Sequence, residues 1–363
     1  MNTKLFTPGP LSTSFLTKEA MLNDWPSRDQ DFEDLTAGVI KQIGDIYRFP
    51  VTTECVLLQG PSTYAIEATL KTLVKKKDRI LALSNGVYGD RMYEIAQCSG
   101  LDVDLVSIPY NQAIDEKSLA EIEFEPSRYD FVTFVHCETS TGVLNDIKAI
   151  NEFASAYKLR LIVDAVSTFG ALPLFAQSEF STAIIGSANK CLEGVPGVTF
   201  ACINKEQLQA AEGNSDSVSF DLHSQWHYMN QKKQWRFSPP THVVSAFNYA
   251  LEQFHKEGGQ VKRKARYEEN YQSLVIAMKK LGFKCLVPES IHSPIIVSYL
   301  LEPYINDFPS FYQFLKTKGL FLYPGALNKI KYFRVGCIGD ITSDDIRSLT
   351  TAIEEYLTIK VGR

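Results

Sequence analysis

Between residues 55 and 205 one unit keeps recurring: a short apolar run, a turn, then residues at helical spacing. The runs are Cys55–Leu58, Ile80–Leu83, Phe131–Val135, Leu159–Val163, Ala183–Ile185 and Val198–Ile203. Each is short for a helix and too evenly apolar for a strand with one wet face, so both faces need cover. Strands that alternate with helices pair mostly in parallel, because each helix carries the chain back across the sheet. The expectation is an α/β fold with a mostly parallel central sheet and helices on both faces. The helix after the first run shows the spacing, with Ile66, Leu70, Leu73 and Val74 on one side.

Ligands of such sheets sit at the carboxyl ends of the strands, and two runs end on reactive groups. Leu159–Val163 stops at Asp164, and Ala183–Ile185 leads into Gly186-Ser187-Ala188-Asn189-Lys190-Cys191, with Gly194-Val195-Pro196-Gly197 after it. A lone loop lysine is ordinarily a solvated surface group. An acid at one strand end and a lysine at the next is the pair that a pyridoxal phosphate enzyme needs. A lysine amine can join the cofactor aldehyde as a Schiff base. An aspartate can pair with the pyridine nitrogen, keep it protonated and make the ring an electron sink.

Other turns could line the same edge. Gln59-Gly60-Pro61-Ser62-Thr63 opens a helix, where Ser and Thr are capping residues and free N–H groups attract anions. Tyr88 follows the glycine of Ser84-Asn85-Gly86, and its aromatic face can stack on a bound ring or pack in the core. His136-Cys137-Glu138-Thr139-Ser140-Thr141-Gly142 gathers polar groups at a strand end. Arg334 interrupts the apolar run Tyr332–Val335, so it needs a carboxylate in a buried salt bridge or an anionic substrate.

Composition removes several classes. The chain has 363 residues, enough for one large core and a smaller domain, and its net charge of −5 argues against nucleic acid as the main partner. No apolar run approaches the roughly 20 residues that cross a bilayer. The start, Met1 to Pro8, has no signal-peptide core, which points to the cytoplasm. The seven cysteines form no Cys-x-x-Cys pair and read as reduced, buried thiols. Cys191 lies beside the lysine but has no evident base. His223 and His227 have the spacing of a helical metal pair, but no acid stands between them, so no metal site is expected.

Thr7-Pro8-Gly9-Pro10 makes a stiff arm, either tied down on the fold or crossing near a ligand. Residues 18–22 suit a short helix, and 24–33 read as acidic and irregular. Composition shifts at Lys256-Glu257-Gly258-Gly259, giving an expected arm at 1–15, a large domain at 16–257 and a small α+β domain at 258–363. The basic stretch Lys262–Arg266 reads as a solvated helix face, with Tyr267, Tyr271, Leu274 and Met278 turned inward beyond it.

Several motifs occur here in a fixed order. They are Thr-Pro-Gly-Pro-Leu-Ser-Thr-Ser at 7–14, Leu-Leu-Gln-Gly at 57–60, Ser-Asn-Gly-Val-Tyr-Gly-Asp-Arg at 84–91 and His-Cys-Glu-Thr-Ser-Thr-Gly at 136–142. Val-Asp-Ala-Val-Ser-Thr-Phe-Gly at 163–170, Ser-Ala-Asn-Lys-Cys at 187–191 and His-Ser-Pro-Ile-Ile at 292–296 follow. From about Leu5 to the last helix the chain resembles the fold type I, class V pyridoxal phosphate aminotransferases, and within them the 2-aminoethylphosphonate:pyruvate transaminase family. The resemblance implies a homodimer with active sites at the subunit interface and a cofactor carried by Lys190. Asp164 would bind the pyridine nitrogen, Tyr88 would stack on the ring, and Ser62 and Thr63 would cradle the phosphate. Thr139 would face the ring hydroxyl, Thr241 would reach the site from the partner subunit, and Val166 and Ser238 would be further cofactor contacts. Arg334 would hold the carboxylate of pyruvate and the phosphonate of the amino donor in turn. Pro61 and Pro239 stand where relatives often have serine, and Pro61 removes one backbone N–H from the phosphate cup. The rival readings are an ammonia-lyase acting on a hydroxylated 2-aminoethylphosphonate with the same cofactor, an alanine:glyoxylate-type transaminase, and a non-catalytic cofactor carrier.

Overall fold

The apolar runs assemble into one seven-stranded sheet. Its order is Thr53–Gln59, Val198–Asn204, Ser181–Ser187, Arg160–Asp164, Phe131–Val135, Arg79–Ser84, Asp102–Ser107. The computed structural model describes residues 3–174, 181–327 and 330–361. From Ser181–Ser187 outward to Asp102–Ser107 every pairing is parallel. Val198–Asn204 runs antiparallel to both neighbours, so Thr53–Gln59 beyond it points the same way as the parallel strands. All strands but that one therefore end at a single edge.

Both faces of the sheet are covered, as evenly apolar strands require. Leu57, Val163, Ile184 and Phe200 pack into one buried cluster. Their chain neighbours Val56, Ile162, Ile185 and Ala201 pack into another on the opposite face, which is the period of two expected of a pleated strand. The helix Ser62–Leu73 buries Ile66, Leu70 and Leu73 in that second cluster.

Two stretches differ from the sequence reading. Residues 24–33 are not wholly irregular, because Asp29 caps a 17-residue helix, Gln30–Ile46, by accepting from the Asp31 N–H at 3.1 Å. Asp31 and Glu33 suit the positive end of its dipole, while Phe32, Thr36, Val39 and Ile43 are buried along one face. The basic stretch Lys262–Arg266 is not a uniformly solvated face either. Arg263 is 1% exposed, with its Nε 2.8 Å from Glu257 Oε2. Arg266 Nη2 reaches Glu193 Oε1 at 2.8 Å, and the Tyr267 hydroxyl donates to the same oxygen at 2.6 Å. Two arginines and two glutamates thus balance inside the protein, fastening the helix Gly259–Lys280 to the segment just after Lys190.

A second core surrounds the antiparallel sheet Ile296–Leu300, Ile330–Gly336, Tyr323–Leu327. It gathers Leu274, Met278, Phe311, Phe333, Leu349 and Ile353. Phe6 is buried in it, because Lys4–Leu5 pairs in parallel with Leu320–Phe321. Among the described residues no helix is long and apolar enough to cross a membrane.

The buried ion network sets a first prediction. Arg263→Ala leaves Glu193 and Glu257 short of a buried counter-charge and is expected to cost about 3–5 kcal/mol. Lys264→Ala, whose ion pair with Glu268 is partly exposed, is expected to cost less than about 1 kcal/mol. Urea denaturation midpoints compare the two, and equal shifts would contradict the account.

Candidate active site

The shared edge of the sheet holds a narrow cleft to which several strand ends contribute. Ser62, Thr63, Tyr88, Thr139, Asp164, Val166 and Lys190 all line it. Asp164 is the last residue of its strand and is 5% exposed. Its Oδ1 accepts the Val166 N–H at 2.9 Å, the one hydrogen bond given to it among the described residues. Burial pushes its pKa up to about 6, against the pull of that N–H and of the Lys190 and Arg91 charges.

Lys190 sits in the turn that follows Ser181–Ser187, folded by Glu193 N–H to Lys190 O and Gly194 N–H to Ala188 O, both 2.8 Å. Burial pulls its pKa below the usual range, opposed by Cys191 and Asp164, and Arg334 adds to the lowering. A desolvated amine is neutral more of the time, which suits it as nucleophile and base. Its Nζ donates to Pro8 O at 2.7 Å. A Cβ on Gly9 would stand 2.5 Å from that nitrogen, and the residue's φ of +119° suits glycine. The N-terminal arm is tied to the second core and passes beside the lysine. Cys191 is fully enclosed, its Sγ donates to Ser167 O at 3.1 Å, and burial pushes its thiol far up, the reverse of what a nucleophile needs.

The phosphate-cup motif folds differently in detail from the capping reading. Pro61, extended at φ −71° and ψ 157°, takes the N-cap position, and no side chain caps the helix. Ser62 and Thr63 therefore fall in the first turn, and their N–H groups lie at the cleft without a side-chain partner from the cap.

Tyr88 is half-buried in the first turn of the helix Val87–Cys98. Arg91 lines the same cleft with its guanidinium 5.0 Å from the Tyr88 ring centre. Sequence reasoning passed over Arg91, although its spacing from Tyr88 (i, i+3) places the two on one helix face.

Arg334 lies on the central strand of the small sheet. Its Nη1 donates to Thr139 O and its Nη2 to Pro324 O, both at 3.3 Å, while Nε is buried without a partner. Among the described residues no carboxylate stands within 4.0 Å of it. The salt-bridge alternative is therefore absent there, and the guanidinium keeps capacity for an anion.

Ser238 and Thr241 do not join the cleft of this chain. Ser238 is exposed, and Thr241 opens the helix Thr241–Glu257, which has no side-chain cap. A larger hollow elsewhere is lined by His136, Asp146, Lys264 and Glu268. Its lysine is already paired with Glu268, and burial holds His136 down to about 4, so it gathers no free charge to match an anion. The narrow cleft, with a desolvated amine, an under-bonded carboxylate and an open helix start, is the better equipped of the two.

A profile of the family described as aminotransferase class V matches residues 18–299. Curated relatives named 2-aminoethylphosphonate--pyruvate transaminase, from Pseudomonas putida and Burkholderia ambifaria, are each 42% identical to this chain. Those alignments run over 354 and 356 residues, 97% of this chain and 96% and 95% of theirs. Among solved structures, pyridoxamine-pyruvate aminotransferase from Mesorhizobium loti matches with a TM-score of 0.90 at 22% identity, covering 100% of this chain and 94% of its own. Aspartate aminotransferase from Thermus thermophilus gives 0.87 at 22%, covering 98% and 99%. The fold is that of the type I aminotransferases, with the mostly parallel sheet that the recurring runs implied.

Asp164 supplies a second prediction. Its folded pKa of about 6 lies above the ordinary 3.8, so the folded state holds an extra proton between those values. Stability then falls as pH rises through that window, and the cost is fully present above it. In ligand-free protein, Asp164→Asn is expected to be more stable than the native chain by about 2–3 kcal/mol at pH 8. The gap should close towards pH 4, and a gap independent of pH would contradict the burial argument.

Proposed function

This chain belongs to the class V aminotransferase family, and from that membership we propose that it moves the amino group of 2-aminoethylphosphonate to pyruvate, using pyridoxal 5′-phosphate. The products are phosphonoacetaldehyde and L-alanine. The observation that carries the reading is the meeting of Lys190, Asp164 and the uncapped start of Ser62–Leu73 in one cleft.

These residues suit that cofactor on their own chemistry. A buried carboxylate with one N–H partner can accept from a pyridinium N–H, a desolvated amine can meet an aldehyde, and an open helix start can take a phosphate. When bound, pyridoxal phosphate supplies an electrophilic carbon for amines and a cationic ring that takes up the electron pair left on the substrate carbon.

The chain's own groups do the rest. The Lys190 amine would take the proton from the substrate carbon bearing nitrogen and deliver it to the cofactor carbon that carries the amino group, and would move a proton the opposite way for pyruvate. Asp164 would keep the pyridine nitrogen protonated, and Tyr88 would stack on the ring. Ser62 and Thr63 would hold the phosphate, Thr139 would meet the ring hydroxyl, and Val166 would be a further cofactor contact. Arg334 binds the pyruvate carboxylate and the phosphonate by turns, and its unpartnered Nε supports an anion there.

The same reading includes a homodimer, with Ser238 and Thr241 reaching the partner subunit's cleft. Residues 16–257 serve as the cofactor unit, 258–363 as the smaller unit and 1–15 as the arm.

Purified protein given 2-aminoethylphosphonate and pyruvate is expected to form alanine in step with aldehyde, and free ammonia without alanine would contradict the proposal. Lys190→Ala should lower turnover by at least about a thousandfold and abolish the visible absorbance of the bound cofactor. Arg334→Ala should cost about 2–4 kcal/mol in kcat/KM for both substrates, because both are anions. A variant that spares the pyruvate half-reaction would remove Arg334 from its role.

A further inference from the structure

Glu138 does no chemistry in this scheme, yet it is 0% exposed and lies one residue from Thr139. Its Oε2 accepts the Tyr88 N–H at 3.0 Å and the Gly89 N–H at 3.2 Å. Its Oε1 accepts the Ser140 N–H at 3.2 Å and the Ser140 hydroxyl. Four donors thus converge on two oxygens, and only an ionised carboxylate accepts at every one of those positions. Burial pushes the acid's pKa up, while Ser140 and the Gly89 and Tyr88 amides pull it back.

The two amides on Oε2 belong to the first turn of Val87–Cys98, whose own N-cap residue is Gly86 and offers no side chain. A cap that a local serine or aspartate would ordinarily supply therefore arrives from 50 residues away. Gly86 makes room for it, since a Cβ there would stand 2.5 Å from Glu138 Cγ.

The same short segment grips the small sheet with its backbone. Thr139 O accepts from Arg334 Nη1 at 3.3 Å, and Ser140 O accepts the Tyr332 hydroxyl at 2.7 Å. One side of residues 138–140 holds the helix that carries Tyr88 and Arg91, and the other holds the strand that carries Arg334.

We infer that Glu138 is a positioning residue that sets Tyr88 and Arg334 in fixed relation, coupling the ring-stacking wall to the anion anchor through one buried carboxylate. The inference rests on the transaminase reading for the roles of those two residues. It requires Glu138→Gln to damage both grips. The amide keeps its oxygen on only one of the two donor pairs, so either the Tyr88 and Gly89 N–H groups or the Ser140 N–H lose their acceptor.

The test uses the full chain loaded with pyridoxal phosphate. Glu138→Gln is expected to weaken pyridoxal phosphate binding roughly tenfold or more in an absorbance titration and to raise the KM for pyruvate. Glu138→Asp, which keeps the charge, should recover part of both losses. Tyr332→Phe removes one of the two small-sheet contacts and leaves the cap on Tyr88 intact, so it should raise the pyruvate KM while leaving the cofactor dissociation constant near that of the native chain. Native cofactor affinity and native pyruvate KM in Glu138→Gln would overturn the inference. If that variant does not fold, an unchanged pyruvate KM in Tyr332→Phe overturns it instead. The cofactor titration needs no amino donor. Native protein that binds pyridoxal phosphate but makes no alanine would therefore defeat the transaminase reading while leaving the effect of Glu138 on binding measurable.

Discussion

Asp164 ends its strand and the half-buried Lys190 stands in the turn after the neighbouring one, where desolvation opposes the charge on each. Burial drives the carboxyl up to about 6 and the amine below its usual range, and each charge only partly restores the other. Such a pair adds little to stability and is commonly outdone by apolar residues of similar size. Its retention at the open edge of an aminotransferase sheet is a stability cost carried where function is performed. The under-bonded Asp164 and the desolvated Lys190 are two aspects of one constraint: a cleft enclosed enough to oppose the charge on both groups.

The second core is fastened around that cleft by three separate ties. The N-terminal arm pairs with Leu320–Phe321 and then lays Pro8 O against Lys190. Arg263 and Arg266, on the long helix, hold Glu193 just beyond the lysine. Tyr332 and Arg334 reach across to the backbone of Ser140 and Thr139. Each tie ends within a few residues of a cleft group, so the arginine suited to an anion is delivered with the rest of the small sheet and not as a loose side chain.

Much of this was legible because apolar runs and strand-end chemistry are local signals. The alternation that sends Val56 to one face and Leu57 to the other is written in consecutive residues. Asp164 and Lys190 stood out because each interrupts an apolar context at a strand end. The helix Gln30–Ile46 was missed because the acids of residues 24–33 masked the Asp29 cap and the periodicity starting at Phe32. Arg263 was misjudged because its partners, Glu193 and Glu257, are set by tertiary contact and not by spacing along the helix. Gly9, too, looks like an ordinary turn residue until the lysine it must admit is brought from far along the chain. Ser238 and Thr241 lie outside the cleft of their own chain, and spacing along the sequence carries no signal for that.

The central claim is that the Lys190 amine is the group that meets the cofactor aldehyde. Protein loaded with pyridoxal phosphate can be reduced with borohydride, digested and mapped by mass spectrometry. The account predicts one pyridoxyl group per chain, on the peptide containing Lys190. A label on another lysine, or none after saturation with the cofactor, would contradict it.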